Sequence, residues 1–503
     1  MIQYSKQTAK KVKRYSLLIA AVYLTVSIAC KKETPKVAPN ILWIIVEDMS
    51  SHFGYQCEAL VTTPHIDLLA KQGVVFENAY VTAPVCSASR SAMITGMYQT
   101  SIGAHNHRSS RGKEKIHLPE KLKTIPELFK EAGYYTCNSQ EQYDKKGKED
   151  YNFDYDSGQL YDGTDWSKRA AGQPFFAQIQ LRGGKLRNVP KWQEEVMAGL
   201  DASVIVTPNQ VDLPPYYPKD PIFLQDWADY LNNVSFTDLE VGKIMARLKK
   251  ENLLENTVVF LITDHGISQA RGKQFLYDEG TKIPFVIWAP KLLEPQINQD
   301  LISHIDMSAT SLQLAGIAIP NTMEARPLLG TNYSPREFIV SARDRCDETV
   351  DHIRSVRKGN FKYIKNYLPN RPYLQPCDYK DHKPWMSVLH RLDQQGKLTE
   401  TQQLVTAKTR PTEELYDLSA DPYEIHNLAD NKAYTSDLNS LRGLLDSWIQ
   451  ETGDQGMTPE SVKNYDSDME AYLAPFRRRG QIAQAKNIEA NIALMKQWAK
   501  EGK

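Results

Sequence analysis

The chain has 503 residues, enough for a large core and, as a soft prior, for two or more domains. Its 61 Lys and Arg balance 61 Asp and Glu, so no net field directs it to nucleic acid. Six cysteines without a CxxC pair or regular spacing suggest neither a zinc ribbon nor a disulfide scaffold, and a Cys346–Cys377 bridge is left open.

Residues 1–30 read as a targeting segment and stand outside the fold. Lys10, Lys11, Lys13 and Arg14 form a positive stretch, and Leu17 to Val26 an apolar one. That run is short of the roughly 20 residues a membrane span needs. Ser27-Ile28-Ala29-Cys30 then reads as a loose lipobox, with Cys30 the acylated first residue of the mature chain. Residues 31–40, polar with two prolines, serve as a tether. The expected location is the bacterial cell envelope, as a periplasmic or outer-membrane lipoprotein tied to the membrane by its lipid.

Ile41 to Val46 is a continuous apolar run, the pattern of a strand buried on both faces of a parallel sheet, and it stops at Glu47-Asp48. Thr63-Pro64 opens a helix that Gly73 closes, and Thr124-Ile125-Pro126 to Gly133 repeats that grammar. Phe175 to Leu181 and Val258 to Ile262 are further buried strands, the second ending at Asp264. Leu239, Ile244 and Leu248 predict a helix over 236–253. Alternating helices and apolar strands give an α/β layered core over residues 41–335, with functional groups beyond the carboxyl ends of its strands. Residues 336–503 change character. Short strands at Glu337 to Ser341, Ile353 to Val356 and Phe361 to Lys365, with a helix from about Ser436 to Gln450, predict a smaller antiparallel sheet with a packed helix. Ser467 to Lys503 reads as a basic helical tail.

The chemistry concentrates in Pro84-Val85-Cys86-Ser87-Ala88-Ser89-Arg90. A Cys and an Arg four apart share a helix face, so the guanidinium can steady both the nucleophile and an anionic substrate. The acidic pair Glu47-Asp48 and the pair Asp264-His265, each at a strand end, are natural ligands for a hard divalent cation such as Ca²⁺ or Mg²⁺.

In this order, these motifs resemble the type I sulfatases of the alkaline-phosphatase-like superfamily. Cys86-Ser87-Ala88-Ser89-Arg90 resembles the signature at which a maturation enzyme oxidises the cysteine to formylglycine. Thr263-Asp264-His265-Gly266 resembles the family's second metal segment, and Gly272-Lys273 followed by Glu279-Gly280 and Pro284-Phe285 its substrate-binding lysine. Gly147-Lys148 resembles the other lysine, and Leu415-Tyr416-Asp417-Leu418 with Asp421-Pro422 a C-terminal hallmark. The resemblance implies a large mixed, mostly parallel sheet flanked by helices, with a smaller C-terminal antiparallel sheet. It also implies a Ca²⁺ site from Glu47, Asp48, Asp264, His265 and Cys86, with Mg²⁺ as the other candidate ion. Arg90, Lys148, Lys273 and His265 then act with Cys86 on a sulfated carbohydrate. One hydroxyl of the hydrated aldehyde attacks sulfur, and the other expels sulfate and regenerates the aldehyde. His265 either ligates the ion or hydrogen-bonds the sulfate or a neighbouring ligand.

This sequence departs from the family in three places. Glu47 replaces the usual first Asp, Asp150 stands where many members carry a histidine, and Leu181-Arg182-Gly183-Gly184-Lys185 replaces the segment of the central histidine. Lys185, His105 and His107 are the candidates for the leaving-group acid. Lys185, His105, Arg345 and His352 are the candidates for substrate contact. The competing readings are a phosphodiesterase or phosphonate hydrolase of the same superfamily, and a non-catalytic glycan-binding lipoprotein on the same fold.

Overall fold

Seven fully buried residues from Asn40 to Val46 (β1) are the central strand of the larger sheet. The computed structural model describes residues 38–331 and 333–503, so Cys30 and the tether up to residue 37 lie outside the described residues. The strands that join β1 are β2 (Val74–Tyr80), β3 (Tyr135–Gln140), β4 (Phe175–Leu181), β5 (Thr257–Thr263), β6 (Lys282–Ile283), β7 (Phe285–Trp288) and β8 (Gln296–Ser303). Their order is β3-β4-β1-β5-β7-β2-β6, with β8 beside β2. Pairing is parallel through β3, β4, β1 and β5 and between β2 and β8, whereas β7 runs antiparallel between β5 and β2. β1, β4 and β5 have every residue buried, as two-faced burial requires of an apolar run.

Helices cover this sheet: α1 (Pro64–Gln72), α2 (Cys86–Thr95), α3 (Ile125–Glu131), α4 (Pro221–Lys250) and α5 (Asp306–Ala315). Thr124 and Glu127 start α3 with a reciprocal capping box. The helix expected over 236–253 begins earlier. Asp220 accepts from the Ile222 amide and Pro221 takes the first turn, so Phe223, Trp227, Tyr230 and Leu231 are helical and buried as well.

The smaller sheet is antiparallel, built from β9 (Ile339–Arg343), β10 (Ile353–Lys358), β11 (Phe361–Asn366) and β12 (Glu413–Asp417) in the order β12-β11-β10-β9. After α6 (Asp378–Asp381) and α7 (Pro384–Gln394) comes α8 (Thr435–Thr452), whose Leu441, Leu445 and Trp448 pack with Val340, Val356, Tyr363 and Leu415 of this sheet. The basic tail is two helices, α9 (Val462–Arg478) and α10 (Ile482–Lys500), because Gly480 takes a left-handed φ of 70° between them. Pro39–Lys503 forms one compact unit. Among the described residues no helix is long and apolar enough to cross a membrane.

Candidate active site

Three strands of the larger sheet end in one place. Glu47 and Asp48 follow β1, Lys185 comes just after β4, and Asp264-His265 follow β5. Cys86 opens α2 after the extended Val85, so its side chain stands at the N-terminus of that helix, where the next amide, of Ser87, faces His107 Nδ1 at 3.4 Å. The ligand atoms of Asp48, Cys86, Asp264 and His265 all lie within 4.8 Å of one another, and the four residues are buried.

The cations are placed around these acids. Lys273 Nζ stands 3.2 Å from Cys86 Sγ and 3.3 Å from both Asp48 carboxylate oxygens. Lys185 Nζ lies 3.9 Å from the same sulfur and pairs with Glu47, which also takes Lys148 at 2.8 Å. Arg90 donates from Nε to Asp264 Oδ2 at 3.0 Å and from Nη1 to Gln180 at 2.7 Å. Its buried Nη2 has no protein partner, which leaves a donor for an oxyanion. His265 Nε2 is 3.1 Å from Cys86 Sγ and 3.4 Å from Asp48 Oδ1.

Protonation follows from this packing. Burial by itself would push the Cys86 thiol up, but Lys148, Lys185 and Lys273 overcome it and bring the thiol down to about 6. Burial likewise opposes ionisation of Glu47, yet Lys148 and Lys185 draw it down to about 2. Burial is also outweighed at Asp48, which Lys273 and Lys185 hold well below the usual carboxylate range, and at Asp264, held low by His265 and Arg90. Against the cost of burial, Cys86 and Glu47 raise Lys185, and Asp48 raises Lys273. His265 is raised in the same way by Asp264 and Cys86.

The residues fit a hard divalent cation: two ionised carboxylates converge, and both are buried. Glu47 stands apart from the group of converging ligand atoms here, with its longer side chain pairing its carboxylate with Lys148 and Lys185. Asp150 does not replace the family's histidine in kind, since it takes Arg108 through two hydrogen bonds of 2.7 and 3.0 Å and Lys148 at 3.4 Å.

Cys86, Arg90, Lys148, Lys185, Asp264, His265, Lys273, Asp48 and Glu47 are therefore brought together; His105, His107, Arg345 and His352 are not. His107 turns to Ser87 Oγ at 2.9 Å, and burial lowers it to about 3. Arg345 is engaged by Glu460 at 2.6 Å and Asp468 at 2.8 Å. His352 stacks on Tyr367 beside Asp344, and His105 lines the same cavity as His352 and Arg345. Cys346 and Cys377 are free thiols, each accepting from Gln274 Nε2, at 3.1 and 3.4 Å.

Two participants escape the sequence reading. Tyr379 on α6 donates to Asp48 Oδ2 at 3.1 Å, and the Lys273 ammonium lies 4.6 Å from its ring centre. Gln180 on β4 anchors Arg90. Neither carries a local motif. Asp48, Arg108, Asp150, Gln274 and Asp347 all hold positive φ, a backbone cost met most often around working sites.

Residues 39–317 match the Sulfatase family, and residues 265–373 match the C-terminal region of N-sulphoglucosamine sulphohydrolase. The chain is 32% identical to an ulvan-active sulfatase of Formosa agariphila, across 88% of this chain and 83% of that one. It is 23% identical to human N-sulphoglucosamine sulphohydrolase, across 82% and 90% of the two chains. The solved structure of a 2-O GAG sulfatase shares the fold at a TM-score of 0.60 and 19% identity, covering 85% of this chain and 96% of that one. By the family match over more than half of its length and this 32% identity to a sulfatase, the chain belongs to the sulfatase family, as a type I sulfatase of the alkaline-phosphatase-like superfamily.

Proposed function

We propose that this sulfatase removes sulfate esters from a sulfated glycan after Cys86 has been oxidised to formylglycine by a maturation enzyme. Asp48, Asp264, His265 and residue 86 would hold a divalent cation, Ca²⁺ by the hardness of the carboxylate oxygens. The observation that carries the reading is the sulfur of Cys86 set 3.1–3.2 Å from His265 and Lys273, with the unpaired Arg90 Nη2 in the same cluster. When present, the hydrated aldehyde supplies the attacking oxygen and the cation supplies positive charge against the sulfate oxygens.

The chain's own groups do the rest. Arg90, Lys148 and Lys273 neutralise the oxygens on which charge grows, from fixed positions that need no reorganisation. Asp264 and Gln180 hold the Arg90 guanidinium in plane, and Asp48 and Tyr379 hold Lys273. Lys185, kept protonated by its anionic neighbours, offers a proton to the departing sugar oxygen.

The test is threefold. The mass of the Cys86 peptide should show an aldehyde in place of the thiol. Sulfate release should follow from at least one member of a panel of ulvan, glycosaminoglycan, fucan and galactan oligosaccharides, and exceed release of phosphate from matched phosphate esters. Chelation should stop turnover and Ca²⁺ restore it. An active enzyme with an unmodified, metal-free Cys86 would overturn the mechanism. For location, a lipid on Cys30 is supported by the lipobox spacing. Membrane fractionation beside Cys30→Ala decides it, and two soluble proteins would rule the anchor out.

A further inference from the structure

Three of the four residues that the sequence groups with the substrate, His105, Arg345 and His352, meet in a second cavity of ≈ 450 Å³. That is within the roughly 300–1,000 Å³ of small-molecule sites. It lies between the loop around His105 and the helices α9 and α10. Its polar lining includes Asp344, His105 and His352 together with the cations Arg345, Arg371, Lys496 and Lys503, and its apolar wall includes Val462, Met495 and Ala499.

Three buried polar atoms here have no hydrogen-bond partner: Asp344 Oδ2, His105 Nδ1 and His352 Nε2. Asp344 is only 5% exposed. Its other oxygen takes Arg354 at 3.1 Å, and Arg354 is already held by both oxygens of Asp454. One buried guanidinium is thus shared by two carboxylates, so the spare oxygen of Asp344 sits in an acceptor-rich surround. Burying such an atom unpaired costs about 1–3 kcal/mol, which an incoming donor recovers. Gly456 keeps the floor open, since a Cβ there would stand 3.0 Å from Asp344 Oδ2. Burial lowers both histidines, His352 to about 4, so each ring is neutral near pH 7 and can accept as well as donate. The ligand atoms of these residues do not converge as a metal requires: they form no group within 4.8 Å among the described residues. The cations of the lining already have partners, Arg345 in Glu460 and Asp468, Arg371 in the Val350 and Lys503 carbonyls, Lys496 in Asp466 and Lys503 in Glu501. A sulfate or carboxylate would therefore meet the unpaired Asp344 oxygen and is disfavoured.

We propose that this cavity is a second carbohydrate site, one that takes an uncharged, hydroxyl-rich pyranose unit through Asp344, His105 and His352 and packs its C–H face on the apolar wall. The loop that carries His105 also carries His107, which bonds Ser87 beside Cys86, so a cavity residue is two positions along the chain from one that touches the Cys86 helix. Its role as an anchor for unsulfated parts of the glycan rests on the reading above, but its binding chemistry does not.

Saturation-transfer NMR with the methyl glycosides of glucose, galactose, rhamnose and fucose tests it, on the wild type, Ala499→Trp and His352→Phe, with aryl-sulfate hydrolysis measured alongside. Ala499 is exposed at the rim, and Trp there closes the mouth without touching the core. At least one glycoside should bind, and each variant should weaken it by about tenfold or more, while Ala499→Trp leaves aryl-sulfate turnover unchanged. No binding by any glycoside, or binding that survives both variants, overturns the site. Glycoside binding by a protein that releases sulfate from no oligosaccharide of the panel above would sink the proposed catalytic function and leave the site standing.

Discussion

Lys185 stands 3.9 Å from the Cys86 sulfur with its side chain about one-fifth exposed (21%), as Lys148 is, whereas Arg90 and Lys273 are enclosed. A sugar alkoxide is a poor leaving group and needs a proton, whereas an acidic phenol leaves without one. Lys185→Ala should therefore slow release of sulfate from a sugar by about 10²–10³-fold and affect a nitrophenyl sulfate far less. Equal losses on both substrates would assign Lys185 to sulfate binding alone. Away from this cluster, Glu348 ties α6 to α10 by accepting from the Asp378 amide at 2.6 Å and Asn491 at 3.0 Å, while its second oxygen is buried without a partner. Burial, helped by the neighbouring Asp347, pushes its carboxyl from 4.5 up to about 7. Between those values the folded protein keeps a proton that the unfolded chain has released. This contribution to stability is therefore full below 4.5 and falls as pH rises, by on the order of 3 kcal/mol by pH 7 and above. Glu348→Gln should remove that slope. In urea titrations it should be more stable than the wild type at about pH 8 and close to it at about pH 4.5.

At the scale of elements, the site depends on how closely two loops approach. The Gly184 amide donates to the Glu47 carbonyl at 2.8 Å, and a Cβ on Gly184 would overlap the carbonyl oxygen of Asp48. Two glycines after β4 thus let that loop lie on the end of β1 and bring Lys185 to the sulfur. Gly184→Ala should displace the Asp48 backbone, cost about 1–3 kcal/mol and lower sulfate release. Gly443→Ala is the control. It lies within α8 with open space around it, and should stabilise by about 0.5–1 kcal/mol without changing turnover. Sequence made β1, β4 and β5 legible because two-faced burial writes a continuous apolar run. It left β3 hidden, because Tyr135-Thr136-Cys137-Asn138-Ser139-Gln140 is a polar edge strand held by its pairing to β4. The strand-end acids and the Cys86 motif were legible for the same reason of locality. Tyr379 was not, since its partner Asp48 is 331 residues away and only the tertiary fold joins them.

Across the whole molecule, the boundary near residue 335 marks a change of sequence pattern, but the packing crosses it. Trp385, Met386, Val388, Leu389 and Val405 belong to the same core cluster as Phe223, Trp227 and Val241 of α4. The Ala342 amide donates to the Thr82 carbonyl at 2.8 Å and the Ser341 hydroxyl to the Val81 carbonyl at 2.6 Å, so β9 is fastened to the segment that leads from β2 into α2. At roughly 1.5–3 kcal/mol per buried large side chain, those five residues alone contribute about 8–15 kcal/mol. That equals the entire net stability of an ordinary domain, about 5–15 kcal/mol. A fragment of residues 39–335 would also expose Trp385's place against Phe223 and lose Tyr379 from Asp48. It should therefore fail to fold by itself: weak near-ultraviolet circular dichroism, no cooperative urea transition, and no aryl-sulfate hydrolysis. Adding back residues 336–503 in trans should restore a cooperative transition only if the two pieces associate, which size-exclusion chromatography reads directly. A soluble 39–335 fragment that unfolds cooperatively would show instead that residues 41–335 are an autonomous domain and that the shared core is dispensable.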